Sequence, residues 1–559
     1  MTRQLVKVVW ILAALWYGQA FGESPAVEAI PAKPEAVKNW RDLRFGMFVH
    51  WGPVSLTGKE IGWSRGKGTP IEEYDNLYKR FNPIRFNADE WVAVAKAAGM
   101  KYLVLTTKHH DGFCLWDTKE TDYNIMNSPF ARDVVKELSE ACKRGGIRFG
   151  AYYSVCDWHH PDFPLTSPGG KVERKVHNLE RYTDYLKAQN RELLTKYGPL
   201  LTIWYDVGQK FDAQRGASVI NLVRSIQPDL VVNNRTRHPG DYDTPEQRIG
   251  AFQIDRPWET CMTICRQWAW KPNDQMKSLE TCVHSLLRTI GGDGNFLFNV
   301  GPQPDGLIEP RQVERLKEMG AWVAKHADGI YVTRGGPWKP SSRMASTRKG
   351  DKIYLFFLKR PASPITLKGI PLAVRSAKTM GGSDVAFTAN KESLSLTIPE
   401  SAWDGVAATV VLTVEGDAMT IEPVEGLVQS NIPGAKATAS AVFNNKVSQY
   451  GPDKVLDGES NTRWATPAGM GQCWLQIDFA NELTFSSVEL DEECCENGVS
   501  RVKKYELQKL DDGKWVVFHS GESLGPRAVV KFQPVTTRAI RLNILDATNG
   551  PTFSELRVK

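Results

Sequence analysis

Over residues 44 to about 327 short apolar runs alternate with amphipathic helical patterns, and few architectures satisfy that alternation. The runs are "RFGMFVH", "KYLVLTT", "IRFGAYY", "LLTIWYD", "DLVVNNR", "WETCMTI" and "FLFNVG". Between them, "FNADEWVAVAKAAG" places Trp91, Val94, Ala95 and Ala98 on one helical face, behind Asn87 as N-cap with Glu90 three residues on. "RDVVKELSEACKRGG" does the same with Val134, Val135, Leu138, Ala141 and Cys142, and stops at Gly145. Strand and helix in alternation predict a parallel sheet, either a (β/α)8-like TIM barrel or a doubly wound sheet. The ends of the runs favour the barrel. They carry His50 and Trp51, then His109 and His110, Tyr152 and Tyr153, Trp204 and Asp206, Asn234 and Arg235. A barrel gathers the C-terminal ends of its strands around one pocket, whereas ordinary surface loops would be rich in Lys, Glu and Gly.

At 559 residues the chain is too long for one core. Residues 1–22 read as a secretory leader. Arg3 and Lys7 precede a short apolar stretch, and the small residues Ala20 and Gly22 suit a signal peptidase. The expected location is therefore secreted or periplasmic. No later run of about 18 apolar residues predicts a membrane span. The barrel is expected over 23–335. A small β-sandwich follows over 336–422, where "DKIYLFFLKR" and "GVAATVVLTVEG" have strand character, and a third, all-β domain over 423–559. The net charge of +6 comes from scattered Lys and Arg rather than a stripe, which argues against a nucleic-acid partner. Nine cysteines are too few for a disulfide scaffold, though Cys494 or Cys495 could reach Cys473.

Asp206 stands where "LLTIWYD" opens into the expected pocket. A carboxylate there can attack an anomeric carbon, bind a metal, or merely cap the next helix. Glu246, in the loop "DYDTPEQRIG", and Glu259, entering the strand "WETCMTI", are the candidate general acids. A loop residue reaches over a bound sugar more readily, which favours Glu246 and leaves Glu259 open. His109 and His110 in "LTTKHHDGF" would hold a polyol, since a neutral imidazole both donates and accepts at hydroxyls. With no HxH or HExxH spacing, a zinc or iron site assembled from His50, these histidines and Asp206 is the weaker reading.

These motifs, with "GAYYS", "NNR", "TPEQ" and "NFLFNVGPQPDG", resemble α-L-fucosidases of glycoside hydrolase family 29 from about residue 40 to 338 and on into the sandwich. The resemblance implies an exo-acting, retaining, metal-free hydrolase acting on fucosylated oligosaccharides or glycoproteins, with Asp206 as nucleophile and Glu246 or Glu259 as acid/base. It further implies His50, Trp63, His109, His110, Tyr153, Trp204 and Arg235 around the sugar, with Tyr153 near the nucleophile. The chain departs from the family pattern at "WYDVG", where Trp-x-Asp-Gly is commoner, and at "CRQWAWKPND". A galactosidase of the same fold, or a glycan-binding lectin on an inactive barrel, are the alternatives. "VLDGESNTRWAT", "WLQIDFANELTFSSVEL" and "PTFSELRV" resemble a discoidin-like (factor 5/8 type C, carbohydrate-binding module family 32) domain. That resemblance implies a structural calcium ion as the only inorganic partner, and places Trp464, Trp474 and Arg541 in the core.

Overall fold

The structure, a computed structural model, describes residues 28–165, 174, 176–360, 364–426, 432, 434–458, 462–492 and 500–559. The leader and the pair Cys494–Cys495 lie outside these residues. Seven parallel strands form the first sheet: β1 (Phe45–Val49), β2 (Tyr102–Lys108), β3 (Arg148–Ser154), β4 (Thr202–Asp206), β5 (Val231–Val232), β6 (Glu259–Thr263) and β7 (Asn295–Val300). Their order is β5-β4-β3-β2-β1-β7-β6. The apolar runs of the sequence are these strands.

The two edges of the sheet, β5 and β6, are joined by a segment with no apolar run. Tyr242 bridges Asn233 just beyond β5, while Asp243 and Glu246 bridge Trp258 and Cys261 on the other side. Glu259 N donates to Asp243 O at 2.8 Å, and Gln247 N to Cys261 O at 2.9 Å. Residues 242–246 thus take the place of an eighth strand, and Glu246 lies on it rather than in a free loop.

Helices cover the outside. Asn87 caps Ala88–Ala97 by accepting from the N–H groups of Asp89 and Glu90. Val134–Gly145 buries the five expected apolar residues and stops at Gly145 as anticipated, with Gly146 as the left-handed cap at φ +70°. Between strands and helices lies a continuous apolar shell. Inside the barrel lies a second, smaller core containing Trp40, Phe48, Tyr102, Val104, Tyr152, Trp204, Tyr242, Cys261 and Leu297. Alternation assigns the faces: in β1 to β4 the even-numbered residues point inward, and in β6 and β7 the odd-numbered ones.

A five-stranded and a three-stranded antiparallel sheet follow, packed as a sandwich. Lys352–Phe357 shows how it joins the barrel. Ile353, Leu355 and Phe357 enter the sandwich core, while Tyr354 and Phe356 pack with the barrel shell. Arg334–Gly335, inside the expected barrel segment, pair instead with Met344–Lys349 of the sandwich. The last domain is a second β-sandwich with its own core. Trp464 is buried there, but Trp474 and Arg541 are not core residues. The Arg541 guanidinium lies between the rings of Trp474 and Trp515, 4.5 and 4.1 Å from their centroids, on an outer sheet face.

Gly46 of β1 faces inward, and a Cβ there would lie 2.5 Å from the Tyr102 ring. The ring is enclosed on every side and has nowhere to move. Gly46→Ala is expected to cost about 1–3 kcal/mol by overpacking, read as a lowered midpoint in urea or thermal unfolding.

Candidate active site

A cavity of about 250 Å³ opens at the C-terminal ends of the strands, with Phe48, His50, Trp63, His109, His110, Tyr152, Trp204, Asp206, Val207, Gln209, Arg235, Glu246, Cys261 and Trp268 around it. That is below the roughly 300–1,000 Å³ of drug-sized sites and suits a single sugar ring.

Asp206 is the last residue of β4 and faces inward. Its Oδ1 accepts from Arg235 Nη1 at 2.7 Å and from Val207 N at 2.9 Å, and its Oδ2 accepts from Tyr152 Oη at 2.8 Å. Burial alone would raise this carboxyl. The charge of Arg235, nearby His110 and the hydrogen bonds from Arg235 and Tyr152 outweigh it and hold Asp206 below the usual carboxylate range. It caps no helix, because Asp212 caps Ala213–Ile226. Arg235 also donates from Nη2 to Glu246 Oε2 at 2.9 Å and from Nε to Thr244 Oγ1 at 2.8 Å, and stacks over the Trp204 ring at 4.7 Å. One guanidinium therefore spans both carboxylates.

His50 and His110 are fixed by their outer nitrogens. Asn299 donates its amide to Trp268 O, so its Oδ1 accepts from His50 Nδ1 at 2.6 Å. Ser154 donates to Cys156 O, so its Oγ accepts from His110 Nδ1 at 2.7 Å. Both rings are thereby set in the tautomer whose Nε2 is a bare acceptor. His110 Nε2 lies 3.8 Å from Asp206 Oδ2. His109 stacks on Tyr152 with ring centroids 5.4 Å apart. Burial, partly offset by Asn299 and Asp206, pushes His50 down to about 3, and burial against the opposing pull of Asp206 pushes His110 down to about 4. Burial and the neighbouring His110 and His50 lower His109 well below the ordinary value. The wall facing a ligand is neutral imidazole, suited to hydroxyls. Among the described residues no group of three or more His, Cys, Asp or Glu side chains is placed to hold a metal ion.

Of the remaining expected residues, Trp63 stands half-exposed at the rim, edge-on to His110 and Trp158 at 5.4 Å from each. Tyr153 is misplaced by one position. It faces outward and donates to Gln189 Oε1 at 2.7 Å, and its neighbour Tyr152 is the tyrosine at the carboxylate. Counting two residues at a time from Asp206 and across the β3–β4 register, which pairs Tyr152 with Trp204, gives the correct choice. Glu259 does not line the cavity. As the first residue of β6 it lies at the far end of the strand, fully buried under Trp204, with burial raising it to about 7 against bonds from Tyr102 and Trp204. From there it cannot reach a leaving group. Cys261 and Gln209 gave no sequence signal. Trp268 lies in the "CRQWAWKPND" departure, and its N–H, with that of Ala269, is held by the half-buried Glu60 carboxylate. Val207, in the other departure, has φ +51°, rare for a β-branched residue.

Carboxylates at the C-terminal mouth of a β/α barrel, among neutral imidazoles and indoles, define a glycoside hydrolase. Comparison with known proteins narrows the class. A sequence model of the family described as Alpha-L-fucosidase matches residues 24–328, and one described as F5/8 type C domain matches 436–557. The tissue α-L-fucosidase of Bos taurus is 30% identical over 398 residues, covering 64% of this chain and 83% of its own. The plasma α-L-fucosidase of Homo sapiens is 30% identical over 394 residues, covering 63% and 82%. Among solved structures, α-L-fucosidase isoenzyme 1 from Paenibacillus thiaminolyticus superposes with a TM-score of 0.63 at 32% identity, over 68% of this chain and 99% of that one. A family 29 α-L-fucosidase from Bacteroides thetaiotaomicron, trapped as a covalent intermediate, gives 0.64 at 25% identity, over 70% and 100%. The chain belongs to the α-L-fucosidase family, and it carries a discoidin-type C-terminal domain.

If burial keeps the pocket histidines neutral, the ¹⁵N imidazole resonances of His50 and His110 will show no titration between pH 8 and pH 5. An inflection near pH 6.5 for either would contradict the geometry.

Proposed function

We propose that the chain is a secreted, exo-acting, retaining α-L-fucosidase in which Asp206 is the nucleophile and Glu246 the acid/base. The observation that carries this reading is the guanidinium of Arg235 spanning Asp206 and Glu246. Retaining pairs sit about 5–5.5 Å apart, a span that two carboxylates on neighbouring nitrogens of one planar group can match. In the first step an Asp206 oxygen bonds to C1 of a terminal fucose while the C1–O bond to the aglycone breaks. Glu246 gives its proton to the departing oxygen. Esterification removes the charge of Asp206, so Glu246 becomes Arg235's remaining carboxylate partner. Water then attacks C1, Glu246 takes its proton, and the C1–Asp206 bond breaks, restoring the configuration. His50 and His110 accept from ring hydroxyls through Nε2. Fucosylated oligosaccharides or glycoproteins are the substrates. The trapped intermediate of the Bacteroides relative supports the covalent route.

Secretion is supported by the leader-like residues 1–22 and by the finding that no described helix is long and apolar enough to cross a membrane. Its test is N-terminal sequencing of exported protein, which is expected to start after residue 22. In the last domain, the structural calcium that the discoidin resemblance implies would be held by oxygen ligands, backbone carbonyls among them.

Asp206→Gly is expected to lower kcat on aryl α-L-fucosides by three or more orders of magnitude, with azide restoring turnover. Glu246→Ala should lose roughly 10²–10⁴-fold, most on poor leaving groups, again rescued by azide. Full activity of Asp206→Gly, or greater wild-type turnover of β-D-galactosides, would overturn the reading.

Chelation gives a separate check on the calcium. EDTA is expected to lower the unfolding temperature of the C-terminal domain while leaving aryl fucoside turnover unchanged. An unchanged melt, together with no calcium in the purified protein, would remove the ion from the account.

A further inference from the structure

Glu259 lies one layer below the cavity, among apolar and aromatic groups. Tyr102 Oη donates to its Oε2 at 2.5 Å and Trp204 Nε1 donates to its Oε1 at 2.9 Å. A buried carboxyl is costly, and aliphatic packing would fill the space without that cost. The barrel is nevertheless built around it, since Gly46 leaves the room Tyr102 needs to cross the interior and reach it. What the carboxyl holds is the pocket floor. The Trp204 ring stacks on Tyr152 at 5.6 Å with an interplanar angle of 16°, and the Arg235 guanidinium lies over its face at 4.7 Å. Those same two residues make the 2.8 and 2.7 Å bonds to the two oxygens of Asp206. Both side chains that bond to Asp206 therefore rest on one indole, and that indole is pinned by Glu259; the third donor, the Val207 N–H, belongs to the backbone.

We infer that Glu259 is a positioning residue for the fucosidase reaction: it locks the Trp204 ring, and through that ring sets Arg235 and Tyr152 at the nucleophile. It neither gives nor takes the proton of the reaction. An indole without this bond could tilt about its Cβ, and both supports of Asp206 would tilt with it. Displacements of about 1 Å remote from the chemistry cost about 10²-fold. The inference rests on Asp206 being the nucleophile. The two fail separately, because Asp206→Gly tests that assignment and the Glu259 series tests this one.

The test uses three variants of the full chain. Glu259→Gln keeps both bonds, since its amide oxygen accepts from Trp204 and its amide nitrogen donates to a turned Tyr102 hydroxyl. It is expected within about threefold of wild-type kcat/KM. Glu259→Ala should lose about 10²-fold, equally on good and poor leaving groups, with no azide rescue. Trp204→Phe, which keeps a ring but lacks the N–H, should lose a similar factor. The double variant Glu259→Ala/Trp204→Phe should be no worse than the poorer single one. If Glu259→Ala does not fold, Glu259→Gln and Trp204→Phe carry the test by themselves. The inference is overturned by azide rescue and leaving-group dependence in Glu259→Ala, which mark an acid/base. It is equally overturned by a loss in Glu259→Gln as large as in Trp204→Phe, or by wild-type activity in Trp204→Phe.

Discussion

The interior of a closed parallel barrel excludes bulk water, so every polar atom placed there must find its partner in the protein. This chain puts two carboxylates inside, a few ångströms apart in height, and meets the constraint in opposite ways. Asp206, at the top, faces a cation. Arg235 and Tyr152 supply a charge and two hydrogen bonds, and the carboxylate stays ionised. Glu259, below, meets only two neutral donors, and burial raises it toward neutrality. Environment alone sets the two carboxyls apart, lowering one and raising the other.

The same constraint explains the histidines. A protonated imidazole in this wall would be a buried charge cut off from water. Asn299 and Ser154 take the Nδ1 hydrogens, and burial keeps the rings neutral. The cavity therefore offers acceptors to a neutral polyol and keeps its one strong positive charge for the carboxylates. Arg235 is the centre of that arrangement. It pairs with both Asp206 and Glu246, so on the proposed covalent route the loss of charge at Asp206 would still leave it Glu246 as a partner.

Much of this was legible in the sequence because the strands are apolar runs ending in functional residues. Asp206, His50, His109, His110, Arg235 and Trp204 all come from such ends or the turns after them, and the structure brings them around one cavity together with Glu246. The errors have physical causes. Tyr152 and Tyr153 are chemically identical neighbours, and only strand parity distinguishes them. Glu259 could have been set apart by position, since it begins its strand while pockets form where strands end. Residues 242–246 carry no apolar run because they close the barrel through a few backbone bonds rather than a buried strand face. In the last domain, Trp474 looked like core but lies on an outer face, because an aromatic in a strand has no preferred side until the register is known.

The stretch after Asp206 shows where the fold yields and where it does not. A Cβ on Gly208 would lie 2.3 Å from the Arg235 carbonyl oxygen, so glycine is required there for the backbone carrying Arg235 to approach β4. One residue earlier no such contact applies, yet Val207 is held at φ +51°, at a cost of order 1–3 kcal/mol. Its N–H is aimed at Asp206 Oδ1, and its side chain forms part of the cavity wall. The close approach of Arg235 fixes the glycine at 208, the bond to Asp206 fixes the left-handed turn at 207, and the side chain at 207 is then free to shape the wall. This is the position at which the chain departs from the common Trp-x-Asp-Gly pattern. The bonds that hold Asp206 are retained, and the change falls on the surface that meets the substrate.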